Sequence, residues 1–318
     1  MSDLPDVVRI TEEGPREGFQ ADPRVFPTNV KLQLINALSR TGVAQIVLTS
    51  FVNPRRMPMT ADAEEVCARF DRVEGVRYSG LWLNQLGLER AIATDRLDIA
   101  GVLSLCASEP FLLRNQRCSI AEHTVAQHEA AVFYRTHNIP VETVGIFAAF
   151  GCNFRGDIPI SEVLGQAETL LSIARNEGLS PTRLALADTM GWATPLSIKR
   201  LVGSVRDRYP DLAVSLHLHD TRGMGLANAY AGLMLGVAEF DASVGGIGGC
   251  PFSGPNAAGN VCTEDLAFMC EEMGIRTGID LPRLIDCARL AEEIFERPLP
   301  GSLMKAGTLA ARRAALLA

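Results

Sequence analysis

His217 and His219 stand two residues apart in the stretch VSLHLHDTRG, residues 214–223, in a chain that holds only five histidines. The stretch reads as a strand. Side chains two apart on a strand project from the same face, so the two imidazoles converge. Beside a carboxylate and an amide oxygen they make a divalent-metal site with mixed nitrogen and oxygen donors. Such a set suits Mg²⁺, Mn²⁺, Co²⁺ or Zn²⁺ and is unlike a thiolate-rich structural zinc site. Glu17 and Asn260 are the candidate oxygen ligands, and Asp220 is read as an outer carboxylate that orients a histidine. Taken alone, a His-x-His pair is as readily two packed or surface histidines. Polar residues at several other expected strand ends favour the ligand reading. His123, His128 and His137 fall on or at the end of a predicted helix and read as packed or solvated.

Three further residues could do chemistry. Arg16 suits an electrostatic clamp for an enolate or carboxylate, against a plain ion pair with Glu12 or Glu13. Asp188 ends an apolar run and could act as a base or stand beside a metal, against a helix-capping role. Cys250 sits among Gly245, Gly246, Gly248, Gly249 and Gly254, where a thiol could be nucleophile or general acid, or simply an inert turn residue. The run GGIGG lacks the GxGxxG spacing after a first strand and is not read as a dinucleotide site.

These residues need elements to position them. Apolar, β-branched runs (VVRITEE, AQIVLTS, VRYSGLWL, IAGVLSLCA, VETVGIFAAF, RLALADT, AVSLHLHD and FDASVGG) alternate with segments of helical period such as NVKLQLINALSRTG and SEVLGQAETLLSIARNEG. About eight strand–helix units in this length predict an α/β fold, a (β/α)₈ TIM barrel with extra C-terminal helices. A single domain over 1–318 is expected, with the barrel at about 7–275 and the helices at about 276–318. Barrel sites sit at the C-terminal ends of strands. Those ends carry Arg16 and Glu17, Ser50 and Asn53, Asn84, Arg114 and Asn115, Asp188, the histidine pair, and the Cys250–Asn260 stretch. The terminal LAARRAALLA reads as an amphipathic helix packed on the barrel or a partner chain.

Composition excludes some functions. The net charge of −7 and pI near 5.4 argue against nucleic-acid binding. The eight cysteines show no CxxC spacing and read as reduced thiols. No apolar run is long enough to span a bilayer, and a cytoplasmic protein is expected.

In order along the chain, GPREGFQ, TSFVNPRRMPMTADAEEV, RNQRCSI, FGCNFRGDIP, ADTMGWATP, HLHDTRGMGLAN, GGIGGCPFSGPNAAGN and TEDLAFMCEEMGIRTG resemble the 3-hydroxy-3-methylglutaryl-CoA lyases of the DRE-TIM metallolyase group. The resemblance runs from about residue 7 to about residue 290. It implies a TIM barrel that cleaves an acyl-CoA thioester to acetyl-CoA and acetoacetate with Mg²⁺ or Mn²⁺, a place in leucine degradation, and a homodimer. It implies that Glu17, His217, His219 and Asn260 hold the metal, that Arg16 stabilises the enolate, that Asp188 is an essential carboxylate near the metal, and that Cys250 protonates the product. Arg114 and Asn115 match the CoA-contacting loop, and Ser50, Asn53 and Val47 match the substrate wall.

Three departures from the family pattern bear on the substrate. Glu17 stands where the family has aspartate, Val47 stands where it has glutamate, and the Cys250–Asn260 stretch is one residue longer. They leave (R)-citramalyl-CoA and a longer branched 3-hydroxyglutaryl-CoA as alternative substrates. A Claisen-condensing synthase and a non-catalytic acyl-CoA-binding barrel are the rival functions.

Overall fold

Strand and helix alternate as the periodicity requires. The computed structural model describes residues 4–250, 252 and 258–317. Its strands are β1 (Arg9–Glu12), β2 (Gln45–Ser50), β3 (Arg77–Leu81), β4 (Gly101–Cys106), β5 (Val141–Phe147), β6 (Arg183–Asp188), β7 (Ala213–Leu218) and β8 (Glu239–Ala242). They form one parallel sheet in the order β3-β2-β1-β8-β7-β6-β5-β4. Pairing of β1 with β8 rolls the sheet into a barrel.

The helices that follow the strands are α1 (Gly14–Ala21), α2 (Thr28–Leu38), α3 (Ala63–Arg69), α4 (Gln85–Ala93), α5 (Glu109–Asn115), α6 (Ile120–Thr136), α7 (Ile160–Asn176), α8 (Pro195–Arg208) and α9 (Gly225–Leu233). After β8 come α10 (Thr263–Glu272), α11 (Leu281–Phe295), α12 (Leu303–Ala306) and α13 (Leu309–Leu317). Local chemistry starts several of them. Ser119 and Glu122 make a reciprocal capping box at α6, and Thr194 with Ser197 makes another at α8, where Pro195 takes the first helical position.

The strands present two different faces. Ile46, Leu103, Val144, Leu186, Leu216 and Phe240 point outward and are buried under the helices. Each such side chain contributes about 1.5–3 kcal/mol on burial. Positions one residue away point into the barrel and carry the polar and charged groups.

The closed barrel expected from the sequence has one seam without a ladder, since β3 and β4 end the strand order. Side chains and one loop backbone bond close it instead. The Asp98 N–H donates to Tyr78 O, and the Asp98 carboxylate accepts the Tyr78 N–H, both at 2.7 Å. Gln127 of α6 accepts the Ser104 N–H at 2.8 Å. Arg77 of β3 reaches across β4 to Glu142 of β5 at 3.0 Å. These contacts answer the polar groups that a free strand edge leaves open.

The expectation that the C-terminal helix packs on the barrel needs correction. No described residue of α13 is buried, and among the described residues Arg313 ties it to Glu272 at 3.0 Å. Its apolar residues are spaced too sparsely among arginines and alanines to make a packing face on this barrel.

Candidate active site

Residues from five elements meet at the C-terminal end of the barrel. His217 is the inward-facing residue near the end of β7, and His219 follows just beyond the strand. Their Nε2 atoms lie 3.1 Å apart. Glu17, in the first turn of α1, points both carboxylate oxygens at them, with Oε1 3.6 Å from His217 Nε2 and Oε2 3.8 Å from His219 Nε2. Asn260 bridges to His219 through the backbone and donates its Nδ2 to Glu17 Oε2 at 2.5 Å and to Ser243 Oγ at 2.9 Å. The Asn260 Oδ1 is buried and has no protein partner. Two imidazole nitrogens, a carboxylate and an unanswered amide oxygen converging on one point are the donor set for a hard or borderline divalent ion. The residues present therefore fit such an ion.

Electrostatics support that reading. Burial works against the charge on Glu17, but Arg16, both histidines and the Asn260 amide outweigh it and hold its pKa well below the usual carboxylate range. Burial and the charge on His217 pull His219 down to about 4, so its ring is a neutral donor at physiological pH. His217 Nδ1 lies 3.0 Å from Asp241 Oδ2. Burial opposes charge on His217 too, but Asp241 and Glu17 outweigh it and raise its pKa to about 9 without a bound ion. Asp241 therefore fixes which His217 nitrogen faces the site.

Arg16 is held between two carboxylates. Its Nε and Nη2 both donate to Glu13 Oε2, at 2.9 and 2.5 Å, and Nη2 lies 2.9 Å from Glu17 Oε1. The ion pair with Glu13 anticipated as the plain alternative exists, but it lies inside the site rather than on the surface. Val47 is buried on β2, and continuing the β1–β2 register sets it beside Glu13. A carboxylate thus still neighbours Arg16, supplied by the residue between β1 and α1 instead of by β2.

Asp188 does two things. Its Oδ1 accepts the Trp192 N–H at 2.7 Å, which fixes the turn after β6, but it does not cap the next helix, where Thr194 takes that place. Its Oδ2 is buried and unpartnered, and burial raises the pKa to about 6. Cys250 is half-buried and packs against the cluster of Cys106, Phe111, Cys152 and Met190. The loop that carries it passes directly over Glu17. Gly248 has φ +92°, and a Cβ there would sit 2.6 Å from Glu17 Cβ. At the other end, a Cβ on Gly259 would lie 2.6–2.8 Å from three backbone carbonyls of residues 246–248. Only glycine allows so close an approach at either point. The extra residue anticipated between Cys250 and Asn260 lies in a stretch mostly outside the described residues.

The remaining expected residues sit farther out. Ser50 is fully buried and donates to Gln20 Oε1 at 2.7 Å. Asn53 is exposed and accepts the Arg55 N–H in a turn. Arg114 and Asn115 are exposed at the end of α5, with the Arg114 guanidinium 4.4 Å over the Phe154 ring. Asp220 does not orient a histidine: it accepts the Gly225 N–H at 2.6 Å and starts α9. Sequence reasoning missed Asp241 in that role and missed Glu13 as part of the site. His217 and Asp241 are register partners on adjacent strands, a relation no local spacing reveals.

Residues 7–291 match the family model HMGL-like. The chain belongs to this family. It is 38% identical to a hydroxymethylglutaryl-CoA lyase of Bacillus subtilis, covering 93% of this chain and 96% of the relative. It is 36% identical to the (R)-citramalyl-CoA lyase of Chloroflexus aurantiacus, covering 95% of each. Among solved structures it is similar to an HMG-CoA lyase from Acinetobacter baumannii in complex with coenzyme A and 3-methylmalate, with TM-score 0.84, 37% identity and 96% of both chains covered. Family membership agrees with the eight-stranded barrel and with a site at its C-terminal end.

Proposed function

We infer that the chain is a divalent-metal-dependent acyl-CoA carbon–carbon lyase that cleaves 3-hydroxy-3-methylglutaryl-CoA, or a close analogue, to acetyl-CoA and a keto acid. The observation that carries this is the convergence of Glu17, His217 and His219 with the unpartnered Asn260 oxygen, beside the doubly clamped Arg16. Glu17, His217, His219 and Asn260 hold the ion, which supplies Lewis acidity toward substrate oxygens. Mg²⁺ and Mn²⁺ suit the oxygen share of this donor set.

The chain's own residues account for the proton movements. Asp188 takes the tertiary hydroxyl proton; its free Oδ2 and its pKa of about 6 make it a stronger base than an ordinary carboxylate. The carbon–carbon bonding pair then passes to the thioester α-carbon, giving a ketone and a thioester enolate. Arg16 offsets the charge on the enolate oxygen, and the Glu13 clamp aims it. Cys250 gives its proton to the enolate carbon; the path of its loop over Glu17 supports this. Arg114 and Asn115 bind the nucleotide end of CoA.

A second reading, (R)-citramalyl-CoA cleavage to acetyl-CoA and pyruvate, is favoured by the apolar Val47 in the wall beside Arg16. The test is mass-spectrometric product analysis with chelator-stripped protein, re-supplied with Mg²⁺ or Mn²⁺, on 3-hydroxy-3-methylglutaryl-CoA and both citramalyl-CoA enantiomers. Cleavage of the first ester that disappears with chelator and in His217→Ala is expected. Metal binding should also raise the melting temperature of the stripped protein. No cleavage of any ester by folded, metal-loaded protein would remove the lyase reading.

A further inference from the structure

Two turns at neighbouring strand ends hold the chain beside Cys250. The turn after β5 is closed by a pair of backbone bonds: the Cys152 N–H donates to Gly156 O at 2.9 Å, and the Gly156 N–H donates to Cys152 O at 2.7 Å. Asn153 lies within this turn, and its own N–H donates to Met190 Sδ at 3.3 Å. The turn after β6 is fixed by Asp188, which accepts the Trp192 N–H, and by Arg222, which donates to Met190 O at 3.0 Å and to Gly191 O at 2.8 Å. The Trp192 indole packs against Gly151, where an added Cβ would come within 2.7 Å of its ring. Side-chain hydrogen bonds join the two turns and reach a third segment. Trp192 Nε1 donates to Asn153 Oδ1 at 2.7 Å, and Asn153 Nδ2 donates to Phe252 O at 2.9 Å. The indole N–H settles which way the amide points: with Oδ1 engaged, the NH₂ group must face the Phe252 carbonyl. The Phe252 ring meets Phe111 and Phe154 edge to face, with centroids 5.5 and 5.9 Å apart.

Phe252 is two residues past Cys250, so their Cα atoms are at most about 7 Å apart. Two residues before Cys250, Gly248 presses on Glu17. The thiol is thus tethered on both sides, to the metal-site carboxylate on one and to Asn153 on the other. We propose that Asn153 and Trp192 are positioning residues for proton delivery by Cys250: the Asn153 amide, aimed by the indole N–H, sets where the thiol stands. The inference rests on the lyase reading, in which Cys250 protonates the enolate. It also joins the two proton-moving groups, because Trp192 bonds Asp188 through its backbone and Asn153 through its side chain.

The test measures kcat, KM and melting temperature of Mn²⁺-loaded protein on the ester that the wild type cleaves. Alongside, alkylation of Cys250 by iodoacetamide is followed by peptide mass spectrometry. Asn153→Ala removes one hydrogen bond to Phe252 and should lower kcat about two- to tenfold. Asn153→Asp keeps the acceptor for Trp192 but turns a carboxylate oxygen toward the Phe252 carbonyl, so its kcat should fall at least as far. In both variants KM and melting temperature should stay near wild type, and Cys250 should be alkylated faster by a similar factor. Trp192→Phe keeps a ring on Gly151 without the N–H; it should shift kcat and alkylation in the same direction, and it decides the matter if the Asn153 variants do not fold. Wild-type kcat in Asn153→Asp, or lost activity with Cys250 alkylated at the wild-type rate, overturns the proposal and leaves the lyase reading intact. A wild type that cleaves no ester overturns both.

Discussion

At the residue scale, the site is built from charges that hold one another in place. Arg16 presents two nitrogens to a single oxygen of Glu13 and one to Glu17. A guanidinium can make this arrangement and an ammonium cannot, because the fork geometry is fixed. Arg16→Lys should therefore lower kcat by about 10²–10³ while the melting temperature stays near wild type. Steady-state kinetics beside a thermal melt read both. A variant with undiminished kcat would show that Arg16 plays no part in the transition state. Asp241 belongs to the same scale. It touches His217 Nδ1 and sets the donor nitrogen, although it lies a strand away from the histidine motif.

At the element scale, buried carboxylates tie the barrel ends together. Glu12, fully buried on the outward side of β1, accepts the Gly14 N–H at 2.7 Å, the Val244 N–H at 2.9 Å and the Thr263 hydroxyl at 2.6 Å. One side chain thus joins β1, the start of α1, the turn after β8 and the start of α10. The positions of Glu17 and of the glycine-rich loop both follow from this tie. Glu12→Ala would strand two buried N–H groups, each worth about 1–3 kcal/mol. A fall in denaturation midpoint corresponding to about 2–5 kcal/mol is expected in chemical unfolding. An unchanged midpoint would mean that the three partners find other acceptors.

At the scale of the whole molecule, the buried acids give stability a pH dependence. Burial raises Glu264 from 4.5 to about 8, with one oxygen accepting the Gly245 N–H and the other unpartnered. The folded chain then holds a proton that the unfolded chain has lost between those pH values. Stability therefore falls as pH rises from about 4.5 to about 8, the window set by this shift. Glu12, raised to about 7 by burial, acts in the same direction. Glu264→Gln keeps an oxygen for Gly245 and removes the charge. Its melting temperature should decline less across that window than the wild type's, and should exceed it at the alkaline end. Parallel curves for the two proteins would place the pH dependence elsewhere.

Much of this was legible in the chain itself, because strand parity and helical period are local properties. They suffice for the barrel class, for the shared face of His217 and His219, and for the informative strand ends. Motif order along the chain pointed to the same family that the comparisons then showed. Relations between elements were not legible. The register that pairs His217 with Asp241, and the approach of Glu17 on α1 to His217 and His219, depend on how strands align around the barrel. The unladdered seam between β3 and β4 and the solvent-facing α13 likewise depend on contacts between residues far apart in sequence. The sequence by itself determined which groups exist and which way each strand presents them. Only the tertiary structure decided which of them meet, because register and closure are set by packing summed over the whole barrel and not by any one segment.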